Sequence, residues 1–597
     1  MKDFTLIEVS FEVANKVGGI YTVIVSKMSY AIANSKEYFA IGPCIGRLPK
    51  EFSEEKPPGR MSESFAELEK NHGIKCHYGT WLIEKNPKAI LIDYRGLSVK
   101  SDDIKRELWE KYQIDSWGTD NWFNEPTVWA KAAGYLIQSL NEKGVFRYSP
   151  VAHFHEWLSA PAMLHLKSAG MNIPSVFTTH STVLGRAVAE TGRENLYDII
   201  NTWKKNGTTA PVEKAYEYGV HPKHLMEKAA AASADVFTTV SEIMGKECQY
   251  VLGRKPDVIL PNGLDMKKFP QHEKIPEMYR KYTDNIRDFL LGYFLPYYEV
   301  DTDNAMLCFI SGRHEFRNKG IDIFIDSLAG LNDRLRKSRS KKMVFAFIFV
   351  PAETAGTKPT VLEHLSAFGD AERLIEKATE KVEKNVLRDF IHGNKSETKV
   401  MLDAAFLRKL EKLGKKLKGM RKGIPPVTPF QMKSENNIIH ALRDAGLDNS
   451  KDDRVKIVYY PAYLSEKDGL LELAYYNAMI GFDAGVFPSY YESWGYTPLE
   501  AAALGLHSVT TDLSGYGKFI ETHLRPSETS ISVVKRDGKS DTAAAKELED
   551  ILYRITMMKP SDSRKERERA KSLSFLADWG TLFENYLKAY ALLLERA

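Results

Sequence analysis

The sequence predicts an α/β protein with parallel sheets in at least two domains. Its 597 residues exceed what one hydrophobic core normally organises. Continuous apolar stretches such as residues 305–311 are typical of strands that are buried on both faces of a parallel sheet. Several of these stretches lead through a glycine-containing loop into a helical pattern, which is the repeating unit of such sheets.

The composition narrows the class of function. The chain is 43% hydrophobic and 27% charged, as in globular proteins, and its net charge of +4 indicates neither nucleic acid nor membrane as a partner. No apolar run is long enough to span a bilayer, and the first residues lack a signal-peptide layout. Four scattered cysteines argue against a disulfide scaffold or a zinc cluster and for a cytoplasmic location.

The first strand is predicted at residues 4–9, and a helix follows from about Ile20. The loop between them contains Lys16, Gly18 and Gly19. Adjacent glycines allow the backbone to approach a ligand closely, and they also serve tight turns. The residues alone leave both interpretations open.

Two later segments carry residues that could contact ligands. Residues 100–147 are predicted to be helical, and their tryptophans favour packing over stacking on sugars: Trp109, Trp117, Trp122 and Trp129. After a strand that ends near Ala152, His153, His155 and Glu156 suggest a metal site, but no further ligand stands at a convincing spacing.

Another buried strand, at residues 175–179, ends at His180, and Arg186 follows. On their own these could be a strand-end histidine and a surface cation. Strands at 236–241 and 258–265 complete the first domain.

The second domain begins with the strand at residues 305–311, whose exit loop contains Arg313 and Lys319. A loop at the carboxyl end of a strand is suited to an anionic ligand, although a basic surface loop is the alternative. Residues 362–422 are charged, with apolar positions at helical spacing. They predict a helical hairpin that buries an apolar stripe against a partner, or else a solvated helix pair.

The most informative stretch is residues 485–500. A strand ends at Pro488, an aromatic loop follows, and Thr497 is predicted to cap a helix that Gly505 ends. Glu492 and Glu500 flank the helix start, where unpaired N–H groups suit a phosphate. The alternative is an ordinary strand–loop–helix unit with two solvated glutamates.

Residues 490–500 together with 508–515 resemble the glycogen synthases of animals and fungi. Residues 178–186 and 312–320 match the same family, which usually carries arginine in place of Lys16. The resemblance implies a retaining glycosyltransferase of the GT-B fold, with two facing Rossmann-like lobes and a helical insertion in the second. The expected lobes are 1–265 and 304–575, joined by hinge helices at 266–303; the insertion spans 362–424, and a last helix at 576–597 packs back on the first lobe.

The resemblance also implies roles for individual residues. Cationic residues neutralise the donor's diphosphate, Glu492 supports the glucose, Glu500 binds the ribose, and the ring of Tyr475 stacks on uracil, although the adjacent Tyr476 could exchange with it. The residues expected to act in catalysis are Glu492, Arg313, Lys319 and His180. The residues expected to bind substrate are Lys16, Gly18, Gly19, Arg186, Tyr475, Tyr491, Trp494, Gly495, Tyr496, Thr497 and Glu500. No metal and no other cofactor is expected, and the His-Glu-Trp run would line the cleft.

The expected reaction moves glucose from a nucleotide-glucose, UDP-glucose rather than ADP-glucose, to the non-reducing 4-hydroxyl of an α-1,4-glucan. Two alternatives are a GT-B enzyme with a small acceptor, like sucrose or trehalose phosphate synthase, and an inactive glucan-binding protein. A glycosidase-like carboxylate pair is disfavoured because the cationic loops imply a phosphorylated donor. A phosphorylase is disfavoured because no lysine stands in a recognisable pyridoxal-phosphate motif. The family's insertion builds a tetramer, so we expect a homo-oligomer.

Regulation is where the sequence departs from this family, whose C-terminal arginine cluster senses glucose 6-phosphate. Residues 564–571 carry five cations that are interrupted by Glu566 and Glu568, which favours a solvated helix face. Both regulatory tails are expected to be missing. We therefore expect a constitutively active enzyme that responds little to glucose 6-phosphate.

Overall fold

The computed structural model describes residues 3–392, 404–419, 423–525 and 530–596. The first lobe is built on a sheet of nine strands in the order β3-β4-β5-β2-β1-β6-β7-β8-β9. All neighbours are parallel except β3/β4 and β4/β5. The strands are β1 (Phe4–Val9), β2 (Glu37–Pro43), β3 (Phe52–Glu54), β4 (Lys75–Trp81), β5 (Lys88–Asp93), β6 (Ser149–His155), β7 (Ser175–Thr179), β8 (Val236–Thr239) and β9 (Val258–Ile259).

Ten α-helices of the described chain accompany this sheet. They are α1 (Gly19–Ala33), α2 (Gly59–His72), α3 (Ser101–Tyr112), α4 (Asn121–Glu142), α5 (Glu156–Ser168), α6 (Val183–Thr191), α7 (Leu196–Asn206), α8 (Val212–Glu217), α9 (His221–Ser233) and α10 (Glu242–Val251).

Of the four tryptophans in and near α3 and α4 that the sequence predicts to be packed in the interior, only Trp129 is buried. Trp109, Trp117 and Trp122 are exposed, because they lie on the outer side of these helices and their connection.

The second lobe has a six-stranded, fully parallel sheet in the order β14-β11-β10-β15-β16-β17. Its elements, after the crossover helix α11 (Ile275–Phe294), are β10 (Met306–Ser311), α12 (Ile321–Lys337), β11 (Val344–Phe349), β12 (Thr354–Thr357), α13 (Pro359–Ile391), α14 (Ala404–Gly419), β13 (Phe430–Met432), α15 (Asn437–Asp444), β14 (Val455–Tyr459), α16 (Tyr475–Ile480), β15 (Ala484–Val486), α17 (Tyr496–Ala503), β16 (His507–Thr511), α18 (Gly515–His523), β17 (Ser532–Val534) and α19 (Asp541–Met557). Helix α11 packs its apolar residues into the core of this lobe.

The helical insertion begins and ends in a small antiparallel pair, β12 and β13. Only the start of α13 packs against the lobe, through Val361, His364 and Ala367. Beyond it, α13 contacts α14 and leaves Leu387 and Phe390 exposed. Part of the predicted insertion, including Met420, lies outside the described residues.

Two further helices complete the chain: α20 (Pro560–Ser574), which packs on the second lobe, and α21 (Trp579–Arg596), which packs on the first. The chain crosses between the lobes twice, and the two crossings lie side by side. The N–H of Leu264 donates to the carbonyl of Ala577 (2.8 Å), and that of Trp579 to the carbonyl of Leu264 (3.2 Å). The two crossings are therefore joined by backbone hydrogen bonds.

The carboxyl edges of the two sheets meet. Tyr491, after β15, donates its hydroxyl to Glu247 of α10 (2.8 Å), and Tyr490 donates to the side chain of Asn195 (3.0 Å). Because parallel strands end in loops at this edge, the loops of both lobes line one interlobe cleft. Among the described residues, no helix combines the length and hydropathy that crossing a bilayer requires.

Candidate active site

The loop after strand β10 brings Lys319 next to Glu492. Gly320 has a φ of +69°, and a Cβ there would lie 2.0 Å from the carbonyl oxygen of Pro488, so glycine is needed for this close packing. The Lys319 ammonium donates to Glu492 Oε2. Each of the two side chains is only 17% exposed. Lys319 and Glu492, which are distant in sequence, therefore form a largely buried ion pair.

Helix α17 begins at Tyr496, and Gly495 at φ +107° precedes it as the capping residue. The prediction that Thr497 caps this helix is wrong, because the left-handed glycine turns the chain into the helix two residues earlier. A Cβ on Gly495 would lie 2.9 Å from Ser514 Oγ. The first N–H groups of α17 have no carbonyl partner within the helix, so this end suits a phosphate.

The aromatic side chains of the preceding loop are already engaged. Trp494 is 3% exposed, and its ring packs against those of Tyr516 and Phe519. Tyr491 is buried, and its hydroxyl donates to Glu247 of the other lobe. Any ligand contact from these two residues would therefore come from their backbone.

Glu500 lies on α17 in an apolar setting. Burial raises its pKa to about 7, although the hydroxyl of Tyr476 donates to it at 2.7 Å. Tyr475 hydrogen-bonds through its own hydroxyl to Ser311 Oγ at the end of β10 (2.8 Å). The predicted base-stacking tyrosine thus lies over the same sheet edge as the cationic loop, while Tyr476 holds the carboxylate.

Arg186 faces this site from the first lobe. Its guanidinium donates to Ser181 Oγ (2.9 Å). Burial would lower the pKa of Arg186, but the nearby acidic groups, Glu315 and Glu492 of the second lobe among them, raise it. Arg313 pairs with Glu315 (2.8 Å), and its side chain is 64% exposed. Three predicted cations, Lys319, Arg186 and Arg313, are therefore grouped around one cleft.

His180 is held by a buried chain of hydrogen bonds. Lys27 and Tyr38 donate to the Glu8 carboxylate, and His155 Nε2 lies 2.8 Å from it. His155 Nδ1 lies 3.1 Å from His180 Nε2. Since burial lowers the pKa of both histidines, both are neutral. Assigned from this network, His155 donates to Glu8, His180 donates to His155, and Nδ1 of His180 remains an acceptor.

Glu8, His153 and His155 also bring three metal-binding atoms within 4.8 Å of one another, on neighbouring strands. Burial would raise the pKa of Glu8, but Lys27 lowers it well below its ordinary value. The ammonium of Lys27 already supplies the positive charge beside this carboxylate, and a metal ion would meet its repulsion. Both ring nitrogens of His153 hydrogen-bond to hydroxyl groups. The cluster is thus explained as an internal ion pair.

The glycine loop at the start of α1 is partly occupied by the protein itself. The N–H groups of Gly18 and Tyr21 donate to Glu12 Oε2 at 2.8 and 2.9 Å. The N–H of Gly18, a residue expected to bind substrate, thus already has a hydrogen-bond acceptor within the loop. Gly19 and Lys16 are exposed, and Lys16 lies over the ring of Tyr21.

Glu8, Glu12 and Glu247 are among the buried acidic residues that sequence reasoning missed. A usable signal exists only for Glu8, which interrupts the apolar strand at 4–9 and therefore had to be paired. Glu12 and Glu247 stand in a loop and a helix, where a glutamate is ordinarily exposed.

The fold and the site together define the class of protein, a GT-B glycosyltransferase. The catalytic domain of Starch Synthase IV from Arabidopsis thaliana, solved bound to ADP and acarbose, has the same fold, with a TM-score of 0.51 at 13% identity over 99% of both chains. More specifically, the chain belongs to the glycogen synthase family, whose model matches residues 8–597.

Curated relatives agree over nearly the whole chain. The glycogen [starch] synthase of Dictyostelium discoideum is 35% identical, covering 99% of this chain and 67% of its own length. Isoform 2 of Saccharomyces cerevisiae is 32% identical over 100% of this chain and 87% of its own. The human liver glycogen [starch] synthase is 33% identical over 100% of this chain and 84% of its own.

Proposed function

We propose that this enzyme transfers glucose from a nucleotide-glucose, with UDP-glucose as the preferred donor, to the non-reducing 4-hydroxyl of an α-1,4-glucan, with retention of configuration. The main observation behind the proposal is the ion pair between Lys319 and Glu492 near the N-terminus of α17, opposite Arg186 of the other lobe. A departing diphosphate needs cations, and a glucosyl unit with developing positive charge needs a nearby carboxylate. Family membership agrees with this arrangement.

The proposed chemistry is a same-face displacement. The bond between the anomeric carbon and the diphosphate oxygen breaks, and the acceptor oxygen bonds to that carbon. The acceptor's proton passes to the departing phosphate. Lys319, Arg313 and Arg186 would neutralise the phosphate, helped by the N-terminus of α17, and Glu492 would support the glucose. His180 Nδ1 would accept a hydrogen bond from a sugar hydroxyl.

The donor's nucleoside would lie along α16 and α17. Tyr475 would stack on the base, and Glu500 would accept hydrogen bonds from the ribose. The two tyrosines at this place and the buried, uncompensated carboxylate support this assignment. Closure of the lobes would exclude water from the cleft and so limit hydrolysis of the donor.

The decisive experiment is incorporation of labelled glucose into glycogen, compared with glucose 6-phosphate and fructose 6-phosphate as small acceptors. Transfer to glycogen supports the proposal. Transfer only to a small acceptor would indicate an enzyme like sucrose or trehalose phosphate synthase, and binding of glycogen without turnover would indicate an inactive glucan-binding protein. The grouping of Arg313, Lys319 and Glu492 at one edge disfavours an inactive site.

We further propose a homo-oligomer, a tetramer, built through the insertion. Helix α13 projects from the lobe, and its last turns expose apolar side chains such as Leu387, Phe390 and Ile391. Such a stripe is costly to leave in water and suits a second copy. A cytoplasmic location is also proposed, supported by four cysteines that are all free thiols.

A further inference from the structure

Three buried carboxylates hold the segment between β7 and α6. Glu156 accepts the N–H groups of His180 (2.7 Å) and Ser181 (3.2 Å), and Glu227 accepts that of Val183 (2.9 Å). Glu247 accepts the hydroxyl of Thr182 (2.5 Å). These acids come from α5, α9 and α10, so each residue from 180 to 183 is fixed by an element outside the segment.

Glu247 is different from the other two because it also contacts the second lobe. Its Oε1 accepts both the Thr182 hydroxyl and, at 2.8 Å, the hydroxyl of Tyr491. Its Oε2 has no hydrogen-bond partner among the described residues. Burial raises the pKa of Glu247 to about 7. A buried carboxylate without a directly paired cation depends strongly on the hydroxyl groups that donate to it.

The same carboxylate sets the start of α6. Thr182 caps this helix by accepting the N–H of Gly185 (3.0 Å). A Cβ on Gly185 would lie 2.2 Å from Glu247 Oε1, so the carboxylate and the first turn are in direct contact. Arg186 is the next residue. Glu247 therefore packs against the turn of α6 to which Arg186 belongs.

From this geometry we infer that Glu247 is a positioning residue that couples lobe closure to the placement of Arg186, with Tyr491 as its latch in the second lobe. The role in catalysis rests on the proposed function. When the lobes separate, Glu247 loses the Tyr491 hydroxyl, and the first turn of α6 loses a fixed partner. Tyr491 thereby acts on the reaction through Glu247 and not through substrate.

The test compares Tyr491→Phe with Tyr197→Phe. Tyr197 is a matched control, because its buried hydroxyl also crosses between the lobes, to the carbonyl of Tyr490 at 3.2 Å, and this hydroxyl donates to Tyr490 and not to Glu247. Removal of a hydrogen-bond donor from a buried carboxyl group predicts a fall in kcat/KM of about 10- to 100-fold for Tyr491→Phe and little change for Tyr197→Phe. Donor hydrolysis relative to transfer should rise only in Tyr491→Phe, because its cleft closes incompletely.

A double-mutant cycle identifies the route of the effect. If Glu247 acts through Arg186, Tyr491→Phe should cost little further activity in an Arg186→Ala background. Glu247→Ala should lower kcat/KM about as much as Tyr491→Phe does. Glu247→Gln keeps an oxygen that can accept both hydroxyl groups, so it should retain most of the parent's activity. Fully additive effects, or an unchanged ratio of hydrolysis to transfer, would overturn the inference even if Glu247→Ala fails to fold.

Small-angle scattering separates this inference from the proposed function. Tyr491→Phe should enlarge the unliganded protein by opening the lobes, and it should do so more than Tyr197→Phe, whose longer hydrogen bond (3.2 Å) ends on a neutral carbonyl. If the parent transfers no glucose and Tyr491→Phe still opens the lobes, the proposed function fails and the latch stands. If transfer is normal but Tyr491→Phe changes neither lobe opening nor kcat, the latch is refuted.

Discussion

Replacing Lys319 by alanine removes the cation that the structure pairs with Glu492. Loss of one positioned donor at a developing anion typically costs about 10²- to 10³-fold in kcat, equivalent to about 2.7–4 kcal/mol. The change also leaves Glu492 without its partner. Both side chains are 17% exposed, so the loss of stability should fall below the roughly 3–5 kcal/mol of a fully buried pair.

The assay for this variant has two parts, the initial rate of transfer to glycogen and the free energy of unfolding. Adding Glu492→Gln should recover the lost stability, because no unpaired charge then remains, but it should not recover activity. Lys539→Ala is the control, since it breaks an exposed pair with Glu547 in the same lobe and should change neither quantity much. A folded Lys319→Ala variant with near-parental kcat would remove Lys319 from the mechanism.

Four further predictions concern donor binding, pH, assembly and regulation. Glu492→Gln should nearly abolish transfer, whereas Glu500→Gln should mainly weaken donor binding; the opposite pattern would reverse their roles. Burial raises the pKa of Glu500 to about 7, and hydrogen bonds from the ribose hydroxyls should favour its charged form. Donor affinity should therefore rise as pH increases toward 7 and then level off, and calorimetry should find that donor binding releases protons below pH 7. If Glu500→Gln keeps this pH dependence, Glu500 is not the group responsible. Light scattering should find a tetramer, and a monomer at working concentration would refute the role given to α13. Glucose 6-phosphate should change the rate little at subsaturating donor, and saturable activation that disappears in Arg567→Ala would contradict this.

Contrary to the expectation from the sequence, the cationic residues of α20 are not all in solvent, and their contacts now support the prediction on glucose 6-phosphate. Arg567 and Lys571 are buried, so that expectation is wrong for the inner face of α20. Arg567 donates to the carbonyl of Gly505 (2.7 Å) and lies 3.6 Å from the Asp483 carboxylate. A cavity of about 520 Å³ adjoins them, lined by both acidic and basic residues. The charge of Arg567 is thus already balanced by Asp483.

Much of the fold could be predicted from local signals. Apolar runs and glycine loops indicated the parallel strands, and the carboxyl ends of such strands had to share an edge. The sequence alone therefore predicts that Lys319 and Glu492 lie in one cleft. The direct ion pair between them depends on the contact of Gly320 with Pro488, which no spacing in the sequence reveals.

The rest of the site depends on contacts between distant elements. The chain from Lys27 through Glu8 and His155 to His180 joins a helix to three neighbouring strands, and only the strand order brings these residues together. The capping of α17 was mispredicted because threonine is the commoner cap, while the left-handed Gly495 fits only in its tertiary setting. Such features follow from packing and not from local propensity.

Incorporation of labelled glucose into glycogen from UDP-glucose and ADP-glucose, with and without a chelator, tests the central claim most directly. The account predicts chelator-resistant transfer that is faster from UDP-glucose, with the added glucose released by an α-1,4-specific glucosidase. No incorporation from either donor, or transfer that requires a metal ion, would contradict the assignment of Lys319, Arg313 and Arg186 as the charges that neutralise the departing diphosphate.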